Sequence, residues 1–230
     1  MISTLPKGNN WGLSGHLYQY QGFLLTLPFL QRVMLVQQQF QAQPTDIMLC
    51  NAHFSANRHL GIPLLATHAP YSFLPTSIMD SGCKIIYICR DPKDTFVSMY
   101  HIFTRYAKSQ NTQPIELDEA FELFCEGVSW YGSYWDHVLG YWKASLGHPD
   151  KFMFLKYEEM NEDTVLYLKK LAEFMGCPFS SEEQQKGTEN KIYFRKGKVG
   201  DWKNDLTPEM SRQLDQITQQ KLSGSGLSFN

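Results

Sequence analysis

Three short stretches carry side chains that could do chemistry. Arg90 closes the apolar run Cys83–Cys89 and is followed at once by Asp91 and Pro92, with Ser98 further along. An arginine fork, a hydroxyl and the amides of a helix opened by Asp-Pro would suit a phosphate monoester, because Arg binds oxyanions bidentately and helix N-termini attract negative charge. Arg195, Lys196 and Gly197 stand in the run 193–204, Tyr-Phe-Arg-Lys-Gly-Lys-Val-Gly-Asp-Trp-Lys-Asn. Its glycines mark a loop, its paired cations need anionic partners if buried, and Gly lets a backbone amide approach a polyphosphate closely. His68, in Thr67-His68-Ala69-Pro70-Tyr71, could take a proton from an attacking hydroxyl. Each motif alone has a plainer reading: an N-cap with a surface ion pair, a solvated basic loop, a histidine that is merely hydrogen-bonded. Tyr157, in Leu155-Lys156-Tyr157-Glu158, reads equally as a half-buried aromatic with a satisfied hydroxyl.

The elements around these residues set where they can meet. Residues 47–50, 63–67, 83–89 and 151–156 read as buried strands. Helical patterns cover 27–41, 92–100, 118–126, 134–146, 162–175 (with Asn161 as its cap) and 208–221. Strands alternating with helices imply an α/β fold, a parallel sheet flanked by helices on both faces, with ligands beyond the C-terminal strand ends. His68, Arg90 and Tyr157 each follow such an end. Residues 5–20 read as a surface arm, and the aromatic-rich stretch 130–142 as core packing rather than a ligand box. At 230 residues the chain is expected to form one domain, 1–230. A net charge of -2 argues against an extended nucleic-acid footprint. The five cysteines show no metal-ligand spacing, so no metal is expected, and Cys83 and Cys89 face the same side of their strand as buried thiols. Residues 23–30 are interrupted by Pro28 and too short to span a bilayer, and no signal-peptide pattern opens the chain. A cytoplasmic protein, without membrane partners, is expected.

Read together, Cys89-Arg90-Asp91-Pro92-Lys93-Asp94-Thr95-Phe96-Val97-Ser98, the His68 segment and the Arg195-to-Trp202 string resemble signatures of the plant-type cytosolic sulfotransferases. The resemblance runs from about residue 5 to residue 230. It implies a three-layer, P-loop-like sulfotransferase fold and the co-substrate 3′-phosphoadenosine 5′-phosphosulfate (PAPS). It implies in-line sulfuryl transfer to a hydroxyl of a small phenolic, flavonoid or steroid-like acceptor. His68 would be the general base. Arg90, Ser98, Arg195, Lys196 and Gly197 would hold the 3′-phosphate, with Tyr157 beside the adenine and phosphates.

The chain also departs from that pattern. After Cys50 the family carries a Pro-Lys-x-Gly-Thr-Thr-Trp loop and a central helix; here Asn51-Ala52-His53-Phe54-Ser55-Ala56-Asn57 follows. A second loss lies between Phe179 and Asn190, where the family has a further helix. In the family's dimer motif Pro208 and Arg212 replace Val and Glu, which makes that dimer an open question. Two functions stay open: the transferase itself, or a catalytically inactive protein keeping a partial 3′-phosphonucleotide pocket. The first loss predicts an apolar cavity or groove beside strands 47–50 and 64–67, with residues 51–62 poorly ordered.

Overall fold

In a computed structural model the described residues are 4–8, 11, 15–50, 55–56, 64–179 and 199–229. The chain begins with a three-stranded antiparallel sheet: β1 (Lys7–Gly8), β2 (Leu17–Tyr20) and β3 (Phe23–Thr26). Gln21 and Gly22, both at positive φ (48° and 85°), form the two-residue turn whose twist suits a hairpin. The region expected as a surface arm is therefore largely structural. Leu17 is fully buried and Trp11 is 1% exposed, its indole N–H donating to the Val128 carbonyl (2.8 Å). A single large aromatic with its one polar atom satisfied outweighs the polar composition around it.

Helix α1 (Leu27–Gln39) follows directly, with Pro28 in its first turn. A five-stranded sheet then forms from β4 (Ile47–Cys50), β5 (Ser55–Ala56), β6 (Leu64–Thr67), β7 (Lys84–Cys89) and β8 (Phe152–Lys156), in the order β5-β6-β4-β7-β8. All neighbouring pairs are parallel except β5 with β6. α2 (Thr76–Asp80) precedes β7. α3 (Pro92–Ser109), α4 (Leu117–Cys125) and α5 (Tyr134–Gly147) lie between β7 and β8, and α6 (Tyr157–Glu162), α7 (Thr164–Met175) and α8 (Pro208–Leu222) follow. α3 runs nine residues beyond the expected end, since nothing in 101–109 breaks a helix. α6 is a separate short helix, and the helix expected over 162–175 is α7, which starts two residues later. Its cap is Asp163, whose carboxylate accepts from the Leu166 N–H (3.0 Å), and not Asn161.

Strand alternation gives the sheet two unlike faces. Met48, Cys50, Leu65, Thr67, Ile85, Tyr87, Cys89 and Phe152 share one face and are all buried, against a core that α3, α4, α5 and α8 also build. Cys89 and Cys83 are both buried, as their spacing implied. On the other face Ile86 and Leu155 are buried, and Lys84 bonds the Phe174 carbonyl of α7. Ile47, Leu49, Ala66 and Ile88 on that face are only half-buried, and Leu64 is 37% exposed. Apolar surface is thus left beside β4 and β6, as expected. The expected disorder of residues 51–62 falls, apart from the strand at 55–56, outside the described residues.

Candidate active site

Parallel pairing brings the C-terminal ends of β6, β4, β7 and β8 to one edge of the sheet, in that order. His68 follows β6, Arg90 follows β7 and Tyr157 follows β8. Neighbouring strands lie about 4.8 Å apart, so the edge itself separates His68 from Arg90 by about 10 Å, with the end of β4 between them. Only four residues separate Cys50 from the start of β5, and seven separate β5 from β6. Each span is shorter than the ten residues or more that a phosphate-wrapping loop followed by a helix takes.

One face of α5 fixes both neighbouring turns. His137 Nε2 lies 3.0 Å from the His68 carbonyl and Nδ1 lies 3.0 Å from the Tyr87 hydroxyl. A carbonyl only accepts, so Nε2 carries the proton and Nδ1 accepts from Tyr87. Complete burial disfavours the charged ring and holds the His137 pKa down at about 4, so the neutral tautomer is the working one. Tyr141 donates to the Ala69 carbonyl (2.7 Å), and Tyr134 donates to the Arg90 carbonyl (2.5 Å). Residues 134, 137 and 141 fall on one helical stripe. Three aromatic tips thus anchor the main chain at His68, Ala69 and Arg90. The stretch 130–142 is core, as read from its spacing, yet it also positions the site. Sequence reading missed this because a buried hydrogen-bonding tip and a buried packing ring have the same periodicity.

Arg90 stands over the Tyr157 ring (5.0 Å to its centroid) and pairs with Asp94 (3.2 Å). Asp94 is 2% exposed, and its other contacts are backbone amides: Gly200 N–H (2.8 Å) and Trp202 N–H (3.0 Å) donate to it. One buried carboxylate therefore ties the Gly-Asp-Trp loop to the turn that carries Arg90. Ser98 lies one turn beyond Asp94 on α3, on the same helix face, and is exposed. The structure brings Arg90 and Tyr157 together and places Ser98 two turns further along α3; Arg195, Lys196 and Gly197 lie outside the described residues. Asp91 caps α3 through the Lys93 N–H (2.7 Å), while the Asp91 N–H donates to Glu158 (2.9 Å). Burial raises the pKa of both carboxylates, Asp91 and Glu158. Among the described residues no group of side chains could hold a metal ion.

His68 borders an apolar cavity of about 500 Å³ between α1, the end of β6, the Phe73–Pro75 turn and the loop before α5. Its ring lies 4.8 Å from Tyr131, which meets Phe29 of α1 edge-on (5.8 Å). Phe73, Trp130, Val33 and Val36 complete the apolar wall. A cavity of this size and polarity is suited to a small, mostly apolar molecule.

The model of the Sulfotransferase domain family matches residues 16–190 and 180–226. The chain belongs to the sulfotransferase family. Cytosolic sulfotransferase 17 of Arabidopsis thaliana is 35% identical over 306 aligned positions, covering 98% of this chain and 88% of the relative. Flavonol 4′-sulfotransferase of Flaveria chlorifolia is 34% identical over 305 positions, covering 99% of this chain and 95% of the relative. A mouse sulfotransferase solved with PAP (3′-phosphoadenosine 5′-phosphate) superposes with a TM-score of 0.71, at 28% identity over 91% of this chain and 95% of its own. In the first alignment 98% of a 230-residue chain spans 306 positions, so about 80 positions of the relative face no residue here. This sulfotransferase-family chain is matched from end to end and shortened from within.

Proposed function

We propose that the site is built for sulfuryl transfer from PAPS to the hydroxyl of a small, ring-containing acceptor, with His68 as general base. The observation that carries this reading is His68 in the wall of an apolar cavity, on the sheet edge that also bears Arg90 and Tyr157. Relatives named for flavonol sulfation and a neighbour solved with PAP support the same acceptor and donor classes. Arg90, Ser98, Arg195, Lys196 and Gly197 would bind the 3′-phosphate and Tyr157 the adenine side, without a metal. PAPS, when bound, supplies the sulfuryl group and a good leaving group. The acceptor ring would lie against Phe29 and Tyr131, and the cavity wall would exclude water. His68 would receive the hydroxyl proton as that oxygen attacks, with His137 holding the main chain behind it.

A specific observation favours a second reading, a catalytically inactive binding protein. The residues 51–54 hold no lysine, glycine or Thr-Thr pair, and the spacing around β5 leaves no room for the 5′-phosphosulfate loop. We infer that the single domain has lost that loop after Cys50 and a helix between Phe179 and Asn190, where the two family matches meet. The 3′ half of a PAPS site fits the residues present; the 5′ half does not. The relatives' cytosolic name supports a cytosolic placement, and no described helix is long and apolar enough to cross a membrane.

Radiolabelled sulfate transfer from PAPS to phenols tests the two readings. Losing one transition-state donor typically lowers the rate about 10²–10³-fold, and several are missing here, so transfer far below that of a full-length relative is expected. Turnover at the relatives' level, abolished by His68→Ala, would restore the full enzyme. Absence of any melting shift with PAP would remove the nucleotide pocket from both readings.

A further inference from the structure

The cavity beside His68 has one feature that a neutral phenol leaves unused. Seven of its lining positions come from the start of α1 and its cap, Thr26, Pro28, Phe29, Arg32, Val33, Leu35 and Val36, which form a single helical stripe. Arg32 sits in the middle of that stripe. It is the one permanently charged side chain among the described lining residues, and no carboxylate lines the cavity with it. Among the described residues Arg32 makes no ion pair or hydrogen bond, although its guanidinium carries five donors. The other polar groups of the wall are His68 and Thr67 at the end of β6, the Thr26 and Tyr131 hydroxyls and the Trp130 indole N–H. Phe29, Phe73, Trp130 and Tyr131 supply aromatic surface to the same wall.

We propose that Arg32 is a specificity residue that selects an anionic acceptor: a planar aromatic or conjugated molecule with a hydroxyl for His68 and a carboxylate for Arg32. This inference rests on the acceptor cavity proposed above. An apolar cavity whose wall holds both a cation and a proton acceptor matches a hydroxy acid better than a neutral phenol. A guanidinium binds a carboxylate through two parallel hydrogen bonds. Arg32 lies on the exposed side of α1, which keeps it solvated when the cavity is empty and lets the pairing form without burying an unpaired charge.

Equilibrium binding tests this without requiring turnover. Trp130 in the cavity wall gives a fluorescence signal for 4-hydroxycinnamate, its methyl ester and 2-naphthol, each titrated into the full chain. The acid should bind about tenfold more tightly than its ester, the effect of a bidentate charge-assisted pairing weakened by solvent at an exposed site. Arg32→Met keeps the apolar stem and should abolish that preference, while Arg32→Lys should retain part of it. Equal binding of acid and ester, or a preference that survives Arg32→Met, overturns the proposal. In that case 2-naphthol binding in competition with the cinnamates keeps the acceptor cavity itself. If none of the three binds, the cavity reading falls and takes this proposal with it.

Discussion

Arg90 and His137 show how single side chains act here through their partners. Arg90 has an aromatic floor in Tyr157 and a buried counter-charge in Asp94, which preorganise the fork for an oxyanion. Arg90→Ala should therefore weaken binding of PAP far more than that of adenosine 5′-phosphosulfate, which lacks a 3′-phosphate. Calorimetry should show a difference of about 1.5–3 kcal/mol between the two losses; equal losses would mean that Arg90 does not read the 3′-phosphate. His137 contributes a pH dependence instead. Its folded pKa of about 4 lies below the ordinary histidine value near 6.5. The unfolded chain therefore binds a proton that the folded chain refuses, and stability falls as pH drops from about 6.5 towards 4. The full effect is about 3 kcal/mol. Asp91 and Glu158, with raised pKa values, act with the opposite sign at the acid end of that window. Urea denaturation between pH 7 and 5 should show the decline, and His137→Leu should flatten it while lowering stability at pH 7.

Between elements, two contacts decide whether the site holds its shape. The Asp94 carboxylate clamps the Gly200–Trp202 loop to α3 through two amides. Asp94→Ala should cost about 3 kcal/mol, because it leaves a partly buried guanidinium and two amides without their acceptor. The shift should be visible in the denaturation midpoint with an unchanged m-value, and PAP affinity should fall with it. The second contact joins the N-terminal hairpin to the loop before α5. Gly132 has φ 75°, and a Cβ there would stand 2.3 Å from the Phe23 ring. Leu25 and Tyr131 form an isolated bridge at the same place. Gly132→Ala should destabilise the fold by at least 1–2 kcal/mol through backbone strain and overlap. It should also displace Tyr131 from His68, seen as weakened 2-naphthol binding.

The overall architecture explains a further expected property. One sheet face is sealed by α3, α4, α5 and α8, whereas Ile47, Leu49, Leu64 and Ala66 on the other are half-buried or exposed. Val165, Leu166 and Leu168 of α7 are exposed as well. Exposed apolar side chains in this number favour association. The purified protein should enhance ANS fluorescence and sediment as a concentration-dependent mixture. Leu64→Lys should reduce both without lowering the unfolding free energy by more than about 0.5 kcal/mol. Unchanged association in that variant would place the sticky surface elsewhere.

Much of this protein could be read from residue order. The strands at 47–50 and 84–89 are runs of β-branched and apolar residues bounded by turn formers, and Asp-Pro at 91–92 opens a helix by local chemistry alone. Family strings pointed to His68, Arg90, Ser98 and Tyr157, and the residues and spacing after Cys50 pointed to a missing loop. What needed the folded chain were the long-range partners. Asp94 meets amides more than a hundred residues away, and the Tyr134, His137 and Tyr141 tips reach carbonyls 44 to 72 residues distant. Trp11 finds its partner at Val128, which is why a polar arm proved to be core. Backbone carbonyls and amides carry no residue-type signature, so no spacing rule announces who will bond to them. The cavity arises the same way. Its wall draws on α1, β6 and the loop at 130–131, which approach one another only after the sheet and hairpin have set their distances.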